Sequence, residues 1–326
     1  MTILVTGASG HLGEALVRML EARGDAVRSI DIKTGPCTSA VGSITDRAFV
    51  DKQMDGVTGV IHAATLHKPH VATHSRQEFV DVNITGTLNL LEAARENAVS
   101  AFIFTSTTST FGEAMRPAAG APAVWITEDV TPVPKNIYGI TKLAAEDICR
   151  LFFKKYNLPC LVLRTSRFFP EEDDSIAIRD GYDDLNAKVN ELLHRRVDVE
   201  DAAEAHLCAL ARAEKIGFSR YIISASAPFS KDDMPLLRED APAAVARYVD
   251  YERLYADRGW RMFPSFDRVY VNRKAREELG WKPRYDFDTA IHSLIAGNAP
   301  FSDLAAKIGK KGYHDQVFED GPYPVD

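Results

Sequence analysis

The sequence predicts an α/β protein built on a doubly wound parallel sheet, and three observations support this fold. Short apolar segments alternate with longer amphipathic segments through residues 1–165. The apolar segments are dense in Val, Ile, Leu and Phe, which is typical of strands buried on both faces of a sheet. The amphipathic segments are long enough to be the crossovers that parallel strands require.

The predicted elements follow one another in regular order. Strands are expected at residues 3–6, 27–32, 57–63, 101–105 and 161–164. Helices are expected at residues 11–23, 47–54, 77–96 and 139–156. No segment repeats with a fixed period, which argues against a solenoid or a propeller.

The alternation stops after residue 164. An acidic loop at 170–174 precedes expected helices at 184–194 and 200–213, a strand at 221–224, mostly helical stretches at 227–262 and 273–297, and an irregular end. We expect residues 1–169, with 196–224 returning to them, to form the sheet domain. Residues 170–195 and 225–326 are expected to form a smaller, mostly helical substrate domain over the carboxyl ends of the strands, where open α/β sheets bind ligands.

Composition excludes several classes of protein. The formal net charge is −7 and no basic block is present, so a nucleic-acid partner is not expected. The four cysteines are scattered without a C-x-x-C pair, which is typical of reduced thiols rather than a disulfide framework. Apolar runs are too short for a signal segment or a membrane span. We therefore expect a cytoplasmic protein without a leader or a membrane partner.

A glycine-rich loop follows the first predicted strand and opens the first predicted helix. It reads Thr-Gly-Ala-Ser-Gly-His-Leu-Gly over residues 6–13. Gly7 permits a tight turn, Gly10 lets the backbone approach a pyrophosphate, and Gly13 allows close packing of helix on strand. The helix N-terminus offers unpaired N–H groups and partial positive charge to the phosphates. The spacing is G-x-x-G-x-x-G, and its context predicts a Rossmann-type dinucleotide site.

Asp31 ends the second predicted strand and indicates which dinucleotide binds. A carboxylate there accepts hydrogen bonds from the ribose hydroxyls and repels a 2′-phosphate. The predicted cofactor is therefore NAD rather than NADP, although Arg28 and Lys33 flank the acid.

Tyr138 and Lys142 lie four residues apart at the start of a predicted helix, which places both on one face. A nearby ammonium favours the phenolate, as does the positive charge of an oxidised nicotinamide. The phenolate can then take a proton from a substrate hydroxyl while hydride leaves. A hydroxyl-rich run over residues 105–110 follows the 101–105 strand and can supply a hydrogen bond to the substrate oxygen.

These features together resemble the extended short-chain dehydrogenase/reductase family, in particular its NAD-dependent sugar epimerases and dehydratases of the UDP-glucose 4-epimerase type. The matching pieces are the 7–13 loop, Asp31, I-H-A-A at 61–64, V-N-I-T-G-T at 82–87, the hydroxyl run, Tyr138 and Lys142, V-D-V-E-D at 197–201 and L-G-W-K-P at 279–283. The resemblance covers residues 1 to about 295.

The resemblance implies roles for individual residues. The catalytic hydroxyl falls on Thr107, with Ser106 as the alternative, because Phe111-Gly112 stands where members usually have Tyr-Gly. The implied cofactor residues are Gly7, Ser9, Gly10, His11, Leu12, Gly13, Asp31, Ile32, Ser43, Ile44, Ala63, Ala64, Thr65, Asn83, Thr105, Tyr138, Lys142 and Thr165. In that family the helices matching 77–96 and 139–156 form a dimer interface, so a homodimer is implied.

Departures from the family pattern concern the substrate. Arg167 stands where nucleotide-sugar members carry an Asn, and the stretch from there to Val197 is shorter than their nucleotide clamp. Arg167 could bind a carboxylate or phosphate, or could pair with the acids at 171–174. The substrate candidates are Ser106, Thr108, Arg167 and His67, with Lys68 beside the last. His67, His70 and His74 fit no standard metal spacing, so no metal is expected.

Several functions stay open at this point. The leading hypothesis is an oxidoreductase-type isomerase that moves a hydride at a carbinol carbon of a sugar or nucleotide sugar, as a 4-epimerase does. The alternative is a dehydrogenase of a smaller sugar or hydroxy acid. The resemblance disfavours dehydration, because dehydratase members of the family usually carry acidic residues beside the catalytic hydroxyl and the run at 107–109 lacks a carboxylate. A non-catalytic NAD sensor is the alternative of another class, and it typically lacks the tyrosine or the lysine.

Overall fold

A computed structural model of the protein describes residues 1–312, His314 and Phe318. Its strands are β1 (Thr2–Thr6), β2 (Ala26–Asp31), β3 (Ala40–Val41), β4 (Gly59–His62), β5 (Ala101–Thr107), β6 (Val124–Ile126), β7 (Cys160–Thr165), β8 (Phe218–Ile223) and β9 (Arg268–Tyr270).

The helices of the first half include those that flank the site. They are α1 (His11–Ala22), α2 (Arg47–Met54), α3 (Arg76–Val80), α4 (Gly86–Glu96) and α5 (Ile137–Tyr156), with 3₁₀ turns at Lys68–His70, Thr108–Phe111 and Glu113–Met115. A π-helical turn, Asp81–Thr85, joins α3 to α4.

The later helices are shorter, except α8. They are α6 (Ile176–Gly181), α7 (Asp184–Glu191), α8 (Val199–Ile216), α9 (Met234–Glu239), α10 (Ala241–Val245), α11 (Glu252–Arg258), α12 (Arg273–Leu279), α13 (Phe287–Ile295) and α14 (Asp303–Ile308), with a 3₁₀ turn at Lys231–Asp233.

Seven strands form one parallel sheet in the order β3-β2-β1-β4-β5-β7-β8. The predicted Rossmann-type fold is confirmed. The strand order reverses at β1, which pairs with β2 on one side and β4 on the other. Thr6 pairs with His62, and further along the edge Thr107 pairs with Thr165. The carboxyl ends of these strands therefore meet beside the switch point, where such sheets bind ligands.

Two apolar cores cover the faces of this sheet. One includes Leu16 of α1 and Ala205 of α8, and the other includes Leu91 of α4 and Ala145 of α5. A third core gathers buried residues from α7, α9, α10, α11 and α13, away from the sheet. We propose on this basis a division into a sheet domain and a smaller helical domain. Trp281 and α12 pack with the sheet core, although they lie in the sequence range expected for the smaller domain.

Some local predictions were wrong. The helix expected at 77–96 is interrupted by the π turn, and the end expected to be irregular contains α14, whose first turn Ser302 caps through the Ala305 N–H. The parallel pair of β6 and β9 was missed because each strand has only three residues. Residues 313, 315–317 and 319–326 lie outside the described residues. Within the described ones, no helix has the length and apolar character needed to cross a bilayer.

Candidate active site

The loop between β1 and α1 has a backbone that requires glycine. Gly7 has φ +76°, donates its N–H to the Ile30 carbonyl at 2.9 Å, and would place an added Cβ 2.7 Å from the Ala64 nitrogen. At Gly13 an added Cβ would lie 1.9 Å from the Gly7 oxygen. Gly10 is the N-cap of α1, and no side chain caps the first turn. The first-turn N–H groups are thus open to a phosphate, so the loop fits a dinucleotide.

Asp31 and Ser9 tie this loop to the end of β2. The Asp31 carboxylate accepts the backbone N–H of Ser9 and that of Lys33, both at 2.9 Å. The Ser9 hydroxyl donates to the Lys33 carbonyl at 2.9 Å and lies 2.9 Å from the Thr38 hydroxyl. The Ser9 side chain is therefore used within the loop, whereas Asp31 faces the neighbouring cavity.

A cavity of about 660 Å³ runs from the first turn of α1 along the carboxyl edge of the sheet to β9. Most residues predicted for the site line it: Gly7, Gly10, His11, Leu12, Gly13, Asp31, Ile32, Ser43, Ile44, Ala63, Ala64, Thr65, His67, Thr105, Ser106, Thr107, Thr108, Tyr138, Thr165 and Arg167. Ser9, Asn83 and Lys142 do not line it. One continuous space therefore joins the phosphate loop to the predicted catalytic tyrosine.

Tyr138 lies in the first turn of α5, which Asn136 caps by accepting the Gly139 N–H at 3.0 Å. Its side chain is buried beside Thr107 at the end of β5. Burial raises the pKa of Tyr138 to about 12, and the hydrogen bond with the Thr107 side chain opposes that rise. The Thr107 hydroxyl also accepts the Ser109 N–H at 3.1 Å, which fixes it at the strand end.

Lys142 is one helical turn further along α5 and is almost completely buried. Its ammonium lies 4.0 Å from the centre of the Phe104 ring, a cation–π contact. Burial lowers the pKa of Lys142 to about 7, against the charges of Cys149 and Glu146. The expected lowering of the Tyr138 pKa by Lys142 is not seen in this structure, since Thr107 is the group that lowers it.

Ser106, the alternative to Thr107, is engaged elsewhere. Its hydroxyl donates a 2.6 Å hydrogen bond to the buried Glu146 carboxylate. Arg164 donates to the same carboxylate at 3.0 and 2.7 Å, and Arg220 donates to it at 2.8 Å. This network connects β5, β7 and β8 to α5, and it leaves Thr107 as the hydroxyl beside Tyr138.

Thr105 and Thr165 also use their hydroxyls within the protein. Thr105 lies 2.9 Å from Nε2 of His206, and burial lowers the pKa of His206 to about 4, so this ring is neutral. Thr165 donates to the Ser106 carbonyl at 2.9 Å. Both threonines therefore shape the cavity wall and brace the sheet edge.

Asn83 occupies the π turn, a feature often found at functional sites. Its amide donates to the Leu66 carbonyl at 2.9 Å and to the Thr141 hydroxyl at 3.0 Å. Its oxygen accepts the Thr65 hydroxyl and the Leu66 N–H, both at 2.9 Å. Asn83 thus positions the cavity-lining 65–66 segment against α5 without lining the cavity itself.

His62 links the phosphate loop to the same π turn. The Thr6 hydroxyl accepts the Ala64 N–H at 3.1 Å and lies 2.7 Å from His62 Nδ1. Thr87, 3.0 Å from His62 Nε2, donates its hydroxyl to the Asn83 carbonyl. The proton of His62 must therefore lie on Nε2, and burial holds its pKa well below the usual value.

Arg167 pairs with the acidic loop, which was one of its two predicted roles. It lies 3.3 Å from the Asp173 carboxylate and 3.4 Å from that of Asp174. Lys68 also pairs with Asp174, and the His67 ring lies 5.4 Å from that of Phe169. The described residues contain no group of three or more His, Cys, Asp or Glu side chains arranged to hold a metal.

Two kinds of cavity residue were missed in the sequence. Ser166 follows β7, lines the cavity, and is buried with a hydroxyl that has no hydrogen-bond partner among the described residues. Arg116, Lys135 and Arg268 also line the cavity. The position of Ser166 next to the predicted Thr165 was the available signal for it, and no signal marked the three cations.

Three curated relatives match between 56% and 90% of this chain. A UDP-glucose 4-epimerase of Lacticaseibacillus casei is 27% identical, and the match covers 88% of this chain and 93% of the relative. A dTDP-glucose 4,6-dehydratase of Neisseria meningitidis is 27% identical, and the match covers 90% of this chain and 92% of the relative. A uronate dehydrogenase of Pseudomonas putida is 29% identical, covering 56% and 68%.

Solved structures share the fold at low identity. A short-chain dehydrogenase/reductase superfamily protein of Agrobacterium tumefaciens with bound NAD has a TM-score of 0.64 at 22% identity, covering 88% of this chain and 94% of that chain. The UDP-glucose 4-epimerase of Thermotoga maritima with UDP-glucose has a TM-score of 0.63 at 22% identity, covering 88% and 95%.

Residues 3–223 match the model of the NAD dependent epimerase/dehydratase family. This match confirms the predicted resemblance, the enzymatic nature of the protein and NAD as its cofactor. The chain therefore belongs to the NAD dependent epimerase/dehydratase family, as an enzyme of the extended short-chain dehydrogenase/reductase type.

Proposed function

We propose that the protein transfers a hydride at a carbinol carbon of a sugar or nucleotide sugar and acts as a 4-epimerase-type enzyme. One observation carries this proposal: Tyr138 and Thr107 lie together in the same cavity as the glycine loop and Asp31. The glycine loop and Asp31 would hold the dinucleotide at one end of this cavity, and Tyr138 and Thr107 would contact the substrate hydroxyl.

The chain's own residues supply the proton chemistry. When bound, NAD would supply the hydride acceptor and donor, and the positive charge of its oxidised nicotinamide would favour the Tyr138 phenolate. The phenolate takes the hydroxyl proton as the C–H bond breaks, which leaves a carbonyl. The Thr107 hydroxyl hydrogen-bonds the phenol and the substrate oxygen, and it stabilises the charge that develops there. Tyr138 would return the proton to the carbonyl oxygen after the opposite face of the carbonyl has turned towards the cofactor, which gives the epimer.

The acids in the cavity support epimerisation over dehydration. Among the described lining residues the carboxylates are those of Asp31, Asp174 and Asp267. Asp31 is bound by the loop at the cofactor end, Asp174 by Lys68, and Asp267 by Arg238. None of the three acts on the pKa of Tyr138, and each is held by other groups, so the described lining offers no uncommitted carboxylate as a second acid or base for elimination of water.

The segment after α14 supports retention of the cofactor, which epimerases need and dehydrogenases do not. The Lys311 N–H donates to Glu171 at 2.9 Å, and the Lys311 ammonium lies 2.5 Å from Glu14 in the first turn of α1. His314 lies 2.8 Å from the Pro69 carbonyl, and Pro69 lines the cavity. These contacts hold Lys311 against α1 and His314 against the cavity-lining Pro69.

A dehydrogenase of a smaller sugar or hydroxy acid is the second candidate. The segment between β7 and α8 favours it, because this segment is shorter than the nucleotide clamp of nucleotide-sugar members. A uronate dehydrogenase is among the relatives, and a uronate is a sugar acid. A non-catalytic sensor is less well supported, since Thr107, Tyr138 and Lys142 are all present.

The purified protein with NAD should be incubated with a panel of free and nucleotide-linked sugars while NADH absorbance is followed. Epimerisation predicts an isomerised sugar, detected by NMR, without net NADH. Net NADH formed with a free sugar would instead establish the dehydrogenase. Binding of NAD with no conversion of any sugar would contradict both and favour the sensor.

We also propose a homodimer through α4 and α5. Leu88 on α4 and Ile140 and Leu151 on α5 are large apolar residues exposed by 38%, 51% and 53%. Exposed apolar residues on neighbouring helices are typical of an interface. Light scattering should give twice the chain mass of 36.1 kDa, and Leu151→Glu should shift it towards the monomer.

A further inference from the structure

The cavity carries an excess of positive charge in a chain whose formal net charge is −7. Its lining includes six cations and the three carboxylates named above. Lys68 and Arg167 pair with the acidic loop, and Arg195 pairs with Asp173 and Glu191. The cations left are Arg116, Lys135 and Arg268. Local charge opposite to that of the whole chain indicates a binding role.

Backbone contacts bring Arg116 and Lys135 to the same part of the wall. Gly112 forms a parallel bridge with Val133, and the Glu113 N–H donates to the Val133 carbonyl at 2.8 Å. Gly112 must be glycine, since its φ is +53° and an added Cβ would lie 1.9 Å from the Val133 oxygen. The short turn that leads to Arg116 is thereby fixed beside the segment that leads through Lys135 into α5.

Side chains bring Arg268 to the same place. The Tyr270 hydroxyl donates to the Met115 sulfur at 2.9 Å, so β9 lies against the turn before Arg116. Arg268 Nε donates to the Tyr270 oxygen at 3.1 Å, which holds the guanidinium at that junction. Three segments that are distant in the chain therefore present one cation each to the same wall.

Internal carboxylates do not neutralise this group. Neither Lys135 nor Arg268 forms an ion pair with a described residue, and Arg116 only approaches Glu113 at 4.0 Å, both side chains being more than half exposed. Burial lowers the pKa of Lys135, the charges of Arg116, Lys68 and Arg268 lower it further, and the charge of Glu113 opposes this shift. Three cations that share one exposed acid keep an excess of positive charge, which is stabilised when an anion binds among them.

We infer that Arg116, Lys135 and Arg268 form a subsite for an anionic group of the substrate, either a carboxylate or a phosphate. The inference rests on the proposed function and narrows its substrate class to an anionic sugar. Lys135 is three residues before Tyr138, so a bound anion would lie within one small molecule's reach of the phenol. The arginines can bind such a group through paired N–H donors, and Lys135 adds a point charge.

Equilibrium binding to the NAD-loaded protein tests the subsite without requiring turnover. Calorimetric titrations should use D-galacturonate, UDP-glucose and the neutral sugar D-galactose. The variants are Lys135→Gln, Arg268→Gln and the double variant. Matched controls are Lys52→Gln on α2 and Arg253→Gln on α11, both exposed and away from the cavity. We expect each site variant to weaken binding of the anionic probe by roughly tenfold, and the controls to leave it unchanged.

Two outcomes support the inference and distinguish a carboxylate from a diphosphate as the bound group. Loss of galacturonate affinity identifies a carboxylate subsite, and loss of UDP-glucose affinity alone identifies a diphosphate subsite. Affinities for D-galacturonate and for UDP-glucose that are both unchanged in the double variant would overturn it. Failure of the proposed hydride transfer is a separate result, because it would appear as absent turnover with binding intact.

Discussion

The backbone N–H of Ser9 donates a 2.9 Å hydrogen bond to the Asp31 carboxylate and so joins the glycine loop to the end of β2. The carboxylate thereby faces the place where the adenosine ribose of a dinucleotide would lie. Asp31→Asn removes its charge and keeps its shape. We expect the affinity for NAD to fall by roughly tenfold and the affinity for NADP to rise.

The measurement for Asp31 is a pair of dissociation constants, for NAD and for NADP, from nucleotide fluorescence or calorimetry. Arg28 and Lys33 flank the site and are unchanged in this variant. An unchanged ratio of the two constants would show that Asp31 does not select between them.

Thr107 should set the pH at which Tyr138 acts as a base. Burial raises the pKa of Tyr138 to about 12 and the Thr107 hydrogen bond lowers it, so removal of the hydroxyl raises that pKa further. The deprotonated form accepts the substrate proton, so kcat/KM for oxidation rises with pH through the pKa of Tyr138. Thr107→Val should move this limb of the pH profile to higher pH. Ser106→Ala should leave this limb in place, because the Ser106 hydroxyl donates to Glu146. A shift in Ser106→Ala alone would reverse the two roles.

Glu146 should be a stability residue. Its fully buried carboxylate accepts hydrogen bonds from Ser106, Arg164 and Arg220. Glu146→Ala leaves buried arginine charge uncompensated, and urea unfolding should show a loss of about 3–5 kcal/mol. The exposed pair of Arg47 and Glu96 provides a control, since Glu96→Ala should cost about 1 kcal/mol or less. Equal losses for the two variants would contradict the buried network.

Ser166 should matter for ligands and not for stability. Its buried hydroxyl has no partner among the described residues, so Ser166→Ala removes no side-chain hydrogen bond seen in that part of the chain. The free energy of unfolding should change by about 0.5 kcal/mol or less, while the affinity for NAD or for the substrate falls. Thr165→Val is the contrasting variant, because it removes the 2.9 Å bond to the Ser106 carbonyl. Full ligand affinity in Ser166→Ala would exclude a binding role.

Glu171 should govern both acid stability and cofactor release. Burial alone would raise the pKa of Glu171, but the hydrogen bond and charge of His11 and the Lys311 N–H lower it to about 2. A depressed carboxyl pKa stabilises the fold above its ordinary value of 4.5, and that stability is lost as the pH falls from there towards 2.

Glu171→Gln should therefore reduce the acid sensitivity between these pH values. It should also speed NAD dissociation in stopped-flow displacement, because the Lys311 segment loses its charged acceptor. An unchanged dissociation rate would show that this segment does not retain the cofactor.

The sheet and the cofactor end of the site could be predicted because their signals are local. Residues 3–5 and 101–104 are continuous apolar runs, and the glycine loop is recognisable from eight consecutive residues. Arg116, Lys135 and Arg268 could not be predicted, since the parallel pairing of β6 with β9 and the Tyr270–Met115 contact bring them together. The role of Ser106 was equally hidden, because its partner Glu146 lies on another element.

Tyr138→Phe tests the proposed hydride transfer most directly. The variant should be assayed with the sugar that the wild-type protein converts, and its NAD affinity should be measured in parallel. We predict a loss of turnover of at least about 100-fold with NAD affinity unchanged, because the phenol supplies the proton transfer while the glycine loop holds the cofactor. Wild-type turnover in Tyr138→Phe would contradict a catalytic role for the phenol.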